Sequence, residues 1–229
     1  MRGQIARSIV ETSVCQPVNP NEYDDWYKTP RGSWIGETEY RLLHKLLAPS
    51  PGESLLDVGC GTGYFTRRFA RSGSAVTGID ASPAMLSIAQ AQTVAAERYL
   101  TGDARALPFP DQAFDLSISV TALCFIHEQR HALAEILRVT RRRFAIGLLN
   151  RHSLLYLQKG RGGGRGAYHG AHWHTAAEVR ALLTGLPAKN VTLRTAVLIP
   201  TGGPLARLGE RLLGDRIPNG AFLVVTGDA

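Results

Sequence analysis

The chain has 229 residues, 44% of them hydrophobic and 20% charged, a composition that excludes disordered, collagen-like and coiled-coil classes. That length fits one large domain, which buries roughly 70% of its unfolded surface and needs no disulfide or metal to support its core. The formal charge is +7, from 26 Lys+Arg against 19 Asp+Glu, with Arg supplying 22 of the cations.

Taken in chain order, apolar runs alternate with helical patterns. Residues 37–48 place Leu42, Leu43, Leu46 and Leu47 on one helical face and stop before Pro49. A buried strand is predicted over 54–58, a helix over 64–71 and a second strand over 75–79. Ser82 followed by Pro83 reads as an N-cap with proline at the first helical position, opening a helix through about Ala96. Tyr99–Leu100 forms a short third strand, 114–120 a fourth, 130–140 a helix and 144–149 a fifth strand. A helix over 176–184, a strand over 191–199, a short helix over 204–213 and a strand over 221–226 complete the series. The alternation predicts an α/β fold: a doubly wound, mostly parallel, seven-stranded Rossmann-like sheet with helices on both faces and an antiparallel last strand. The N-terminal residues 1–48 read as a helical, aromatic lid segment and 49–229 as the main domain.

Cys15, Cys60 and Cys124 are odd in number and unrelated in spacing, which suits neither a disulfide framework nor a zinc site and predicts a reducing, cytoplasmic setting. After Met1 and Arg2 the chain carries Arg7, Ser8, Glu11 and Thr12, without the apolar core of a leader. Nor is there a run of about 18 apolar residues that would span a bilayer.

The strongest local motif is LLDVGCGTGYF at 55–65. A strand ends near Asp57, and Gly59, Gly61 and Gly63 make a turn whose bare backbone admits a ligand to a helix N-terminus. Asp80 ends the second strand, where a carboxylate takes both hydroxyls of a ribose. Asp103 follows the third strand. A nicotinamide-binding loop spaces its glycines G-x-G-x-x-G; the spacing here is G-x-G-x-G with an acidic residue two positions before it.

With VTGIDASPAML at 76–86, GDARALPFPDQAFD at 102–115 and SVTALCFIH at 119–127, this motif resembles the class I S-adenosylmethionine-dependent methyltransferases, in particular the ubiquinone/menaquinone-methyltransferase-like (type 11) group. The resemblance covers about residues 50–150. It implies a methyltransferase using S-adenosyl-L-methionine. Asp57, Gly59, Gly61 and Gly63 would hold the methionine end, Asp80 the ribose, and Asp103 and Ala104 the adenine. Ala81 and Met85 would pack beside the adenine, and Val120 and Thr121 would lie under the cofactor. In place of the family's Pro-Gly-Gly turn before strand five stands Thr140-Arg141-Arg142-Arg143.

Transfer from a sulfonium needs alignment of acceptor and methyl more than strong base chemistry. Where a base is required, His127 beyond strand four is the candidate, against the alternative of a solvent-facing residue at a helix start. The aromatic block at 21–40 supplies Tyr23, Trp26, Tyr27 and Trp34 as acceptor-site residues of a lid, against simple helix packing. His169, His172 and His174 have no spacing of four and no Cys or carboxylate beside them, so no metal is expected. His172, Trp173 and His174 instead lead to a helix capped by Thr175 and border the acceptor pocket.

Between Ile136 and Ala177 the sequence carries Arg138, Arg141, Arg142, Arg143, Arg151, Lys159, Arg161 and Arg165 and no acidic residue; the rest holds 18 basic and 19 acidic residues. The arginine triplet reads as a solvated turn away from the site. Arg151, and with it Arg161 and Arg165 on the glycine-rich loop 160–170, reads as a contact for a neutral or anionic small-molecule acceptor. An RNA or DNA methyltransferase using that loop, and a cofactor-binding protein without catalysis, stand as alternatives.

Overall fold

A computed structural model describes residues 19–229. Cys15 and the residues examined for a leader lie outside the described residues. Seven strands, β1 (Ser54–Val58), β2 (Ala75–Asp80), β3 (Arg98–Thr101), β4 (Phe114–Val120), β5 (Thr140–Leu149), β6 (Lys189–Ala196) and β7 (Phe222–Asp228), form one sheet in the order β3-β2-β1-β4-β5-β7-β6. The pairs from β3 to β5 are parallel, and β7 runs antiparallel to both β5 and β6. This is the doubly wound architecture that the alternation of strands and helices predicts, with the last strand inserted next to the edge. The core lies along the central strands, where Leu116, Ile118, Phe144, Ile146 and Val224 are fully buried.

Helices α1 (Pro20–Lys28) and α2 (Pro30–Leu47) precede the sheet. Thr29 separates them: it stops α1 and caps α2, its side chain accepting from the Gly32 amide, while Pro30 has no amide to leave unsatisfied. α2 thus begins seven residues before the expected position 37, inside the aromatic block. The remaining helices are α3 (Tyr64–Arg71), α4 (Pro83–Ala91), α5 (Gln129–Val139), α6 (Ala176–Leu183) and α7 (Pro204–Leu213). Ser82 caps α4 as predicted, but the helix ends at Ala91 rather than Ala96. There the Glu97 carboxylate accepts from the Val94 and Ala95 amides at 2.9 and 2.7 Å and holds them in a turn. β6 also stops short of residue 199, because the Glu210 carboxylate of α7 takes the Val197 and Leu198 amides at 2.8 and 2.7 Å.

The arginine triplet is not a solvated turn. Arg141, Arg142 and Arg143 lie within β5 and pair with Asp115, Glu53 and Asp228 respectively. Each partner sits on a neighbouring strand or just before one, so the triplet ties down the end of the sheet opposite the glycine loop. No described helix is long and apolar enough to cross a membrane.

Candidate active site

In a parallel sheet of this kind, ligands bind beyond the carboxyl ends of the strands. At the end of β1 the chain turns through Gly59, Gly61 and Gly63, all left-handed, with φ of 73°, 55° and 78°. A Cβ on Gly59 would stand 2.2 Å from that of Ala122, so only glycine lets this loop approach the end of β4. The Gly59 and Cys60 amides donate to the Ile79 carbonyl at 2.7 and 3.1 Å. Asp80 braces the loop from β2: one carboxylate oxygen accepts from the Gly61 amide at 2.8 Å and the other from the Ser82 amide at 2.8 Å.

Asp57 is 2% exposed and accepts from the Thr66 hydroxyl at 2.7 Å. Burial, with a smaller push from the Asp80 charge, raises its pKa to about 7. No cation among the described residues counters this, so the carboxylate is poised for a cationic group brought by a ligand. An amino-acid ammonium beside a glycine loop suits this position, which makes the donor set fit the methionine end of S-adenosylmethionine.

The other residues read as cofactor contacts gather along the same rim. Ala81 is exposed beside Asp80, and Met85 is half-buried in the first turn of α4. Asp103 is gripped side-on by the Arg105 guanidinium, which also reaches Glu128, and this holds the Asp103 carboxyl below the usual range. Ala104 packs against the core. Val120 is buried at the end of β4, and Thr121 follows with φ 59°, its amide donating to the Gly147 carbonyl at 2.8 Å.

α1 lies over this rim. Tyr23 approaches the loop closely, its ring edge 3.7 Å from where a Gly61 Cβ would stand, and its hydroxyl meets that of Tyr27 at 3.3 Å. Tyr27 stacks on Tyr64 at 3.9 Å, and Trp26 meets Tyr27 edge-on. Asp24, 4% exposed, fixes the helix from below through Gln92 at 3.0 Å and Arg67 at 3.5 Å. Trp34 leans the other way, against Gly202, with the Arg207 guanidinium 6.0 Å from its ring centroid. The structure therefore groups Tyr23, Trp26 and Tyr27 near the loop and leaves Trp34 outside that group.

On the far side, the Arg151 Nε donates to the Trp173 carbonyl at 3.0 Å and Nη1 pairs with Glu178 at 3.0 Å. That engagement secures the segment before α6, where Thr175 and Glu178 form a capping box. Trp173 is buried between Tyr156 and Tyr168. His174 is buried too, with Nε2 3.0 Å from the Gln129 side-chain oxygen. Burial, and then the neighbouring His172, lower its pKa to about 4, so it is neutral at pH 7. His172 is exposed. His127 is exposed as well, two residues before α5, and its side chain makes no hydrogen bond among the described residues.

Sequence reasoning passed over Glu39. It sits on the α2 stripe formed by Gly32, Ile35, Gly36, Leu42, Leu43 and Leu47, all buried. It is half-buried and has no hydrogen bond or ion pair among the described residues. Burial alone pushes its pKa up to about 8. The available signal was its spacing, four residues from both Ile35 and Leu43, which puts a carboxylate in an otherwise apolar and glycine stripe.

Residues 56–144 match the family model described as a methyltransferase domain. A malonyl-[acyl-carrier protein] O-methyltransferase of Serratia marcescens is 47% identical over 91 residues, 40% of this chain and 35% of that protein. A demethylmenaquinone methyltransferase of Tropheryma whipplei is 43% identical over 103 residues, 43% of this chain and 42% of that protein. The chain thus spans well under half the length of these curated relatives. Among solved structures, a S-adenosylmethionine-dependent methyltransferase of Thermotoga maritima superposes with a TM-score of 0.69 at 22% identity, covering 91% of this chain and 94% of that one. The magnesium protoporphyrin IX methyltransferase of Synechocystis PCC 6803, solved with bound S-adenosylhomocysteine, gives 0.63 at 19% identity over 92% and 95%. At these identities the likeness is one of fold. Over residues 56–144 the chain is therefore similar to methyltransferase domains, and its seven-stranded sheet has the fold of these solved S-adenosylmethionine-dependent methyltransferases.

Proposed function

We propose that this chain transfers a methyl group from S-adenosylmethionine to a small-molecule acceptor. The observation that carries the reading is the convergence of the unneutralised Asp57, the braced glycine loop and Asp80 on one rim beneath Tyr23. The cofactor supplies a methyl already activated by its sulfonium. Asp57 would hold the methionine ammonium, Asp80 the ribose hydroxyls, and Asp103 with Ala104 the adenine edge. α1 and α2, the described part of the 1–48 segment, would act as the lid of the 49–229 domain, with Tyr23 and Tyr27 excluding water while the acceptor is aligned.

Of the eight basic residues in the acid-free stretch, five pair with carboxylates: Arg138, Arg141, Arg142, Arg143 and Arg151. That pairing favours a small acceptor over a polyanion, and cytoplasmic placement belongs to the same reading. Calorimetry with S-adenosylmethionine, followed by mass identification of products from labelled cofactor and a fractionated small-molecule extract, tests it. Saturable cofactor binding and a methylated metabolite are expected. Absence of cofactor binding would refute the assignment, and binding without any product would favour a non-catalytic role.

A further inference from the structure

We propose that α7 seats the chain on an anionic lipid surface, its outward leucines entering the acyl boundary and its arginines meeting the headgroup phosphates. The contact is peripheral and goes beyond the methyltransferase reading, since α7 shares no residue with the rim of Asp57, the glycine loop and Asp80.

α7 lies in the excursion 197–221 between β6, the edge strand, and β7. Its inner face is fixed: Ala206 is buried, and one turn on the Glu210 carboxylate takes the Val197 and Leu198 amides at 2.8 and 2.7 Å. With that face turned to the protein, Leu205, Leu208 and Leu212, spaced three and four residues apart, share the opposite face. They are 81%, 53% and 62% exposed, and Ile199 and Leu213 add 40% and 47% at either end. A continuous apolar line of this kind marks an interaction surface rather than a solvated face.

The charges beside the stripe set the chemistry of the partner. Arg207 and Arg211, one turn apart and both exposed, flank the leucines on the side that faces α2. Arg207 donates from Nε to the Gly202 carbonyl at 2.9 Å and from Nη2 to the Pro30 carbonyl at 3.4 Å, which positions the guanidinium and leaves its charge intact. Across a cleft of about 930 Å³, Arg41 and Lys45 line the facing wall, and Glu37 on that wall is shared by Arg41 and Arg68. Glu210, the one acid of α7, is committed on the inner face. Leucines in a straight line bordered by cations fit a helix lying in the interface of an anionic bilayer, where apolar insertion and headgroup attraction act together. A bilayer needs no shape-matched groove, and the stripe stands on a convex helix surface. A second copy fits less well: antiparallel pairing of two stripes about a two-fold axis would line up the arginines of both copies along one edge.

The test is co-sedimentation of the full chain with vesicles of phosphatidylcholine alone and of phosphatidylcholine mixed with phosphatidylglycerol. Binding to the mixed vesicles is expected to be tighter by about tenfold or more, because each arginine near an anionic surface adds about fivefold, and to weaken as salt rises. Leu205→Ser, Leu208→Ser and Leu212→Ser combined should lower it by about tenfold or more. Arg211→Gln should reduce the preference for the mixed vesicles. Both variants should melt within about 2 °C of the natural chain, since the altered side chains point to water. No sedimentation of the natural chain with the mixed vesicles, or undiminished binding by the leucine variant, would overturn the proposal. A clearly lower melting temperature of the leucine variant would also overturn it, by showing that the stripe is covered within the chain. So would a natural chain that is dimeric and a leucine variant that is monomeric by analytical ultracentrifugation, which would assign the stripe to a second copy. Failure of the natural chain to bind S-adenosylmethionine would strike the methyltransferase reading and leave this one standing.

Discussion

Replacing Asp57 by Asn separates stability from ligand binding at the centre of the site. The carboxyl is 2% exposed, and its pKa rises from an ordinary 3.8 to about 7, chiefly through burial. Because the folded pKa lies above the unfolded one, the folded state holds the proton longer. The stabilising contribution is therefore complete below about pH 4 and declines as pH rises towards 7, at up to about 1.4 kcal/mol per pH unit. Between pH 5 and pH 8 the natural chain should lose about 2–3 kcal/mol from this group alone. Asp57→Asn keeps the shape and removes the titration. Its stability relative to the natural chain, measured by urea unfolding without cofactor, should therefore rise by about 2–3 kcal/mol between pH 5 and pH 8. Calorimetry on the same samples should show S-adenosylmethionine affinity reduced at least tenfold, through loss of the charge that meets the ammonium. A stability difference that is the same at both pH values would show that Asp57 is not a strained carboxylate, and unchanged affinity would remove it from the cofactor site.

Asp80→Ala frees the Gly61 and Ser82 amides together, so it should lower both cofactor affinity and unfolding free energy, the latter by about 2 kcal/mol. Unchanged cofactor affinity would sink its assignment. Nucleic-acid binding, titrated from 50 to 200 mM salt, should be weak throughout. A fall of roughly a thousandfold over that range would indicate that six or more phosphates are contacted and would reverse the choice of a small acceptor.

Elements whose causes are local in the chain were legible in the sequence. β1, α3, β4 and α7 have the expected bounds, and the Ser82 and Thr175 caps form as read. The rim of Asp57, the three glycines and Asp80 was legible too, because a strand end, a glycine turn and a helix start are adjacent. What escaped depends on distant partners. Arg141, Arg142 and Arg143 find carboxylates 26, 89 and 85 residues away, so a basic run that looked solvated is a set of ion pairs. The ends of α4 and β6 are fixed by Glu97 and Glu210, whose carboxylates capture amides that an apolar pattern would have assigned to regular structure. Arg151 sits at the predicted end of the sheet, yet Glu178 occupies it. Glu39 was hidden by framing. With the helix taken to begin at residue 37, Ile35 and Gly36 were not part of its stripe, and the place of Glu39 on that face went unread.

The strand inserted between β5 and β6 has a consequence for synthesis on the ribosome. β7 is translated after all its neighbours, yet it forms the antiparallel ladder with β5 from Arg143↔Asp228 to Leu149↔Phe222. Until residues 222–228 emerge, the nascent sheet has no bridge from β5 to β6, and a long apolar stretch that includes Phe144, Ile146 and Leu148 is left with an open edge. The cofactor rim on β1, β2 and β4 is already translated by then, so the nascent chain passes through an interval in which its chemistry-bearing half is present while its unprotected edge invites pairing with another chain.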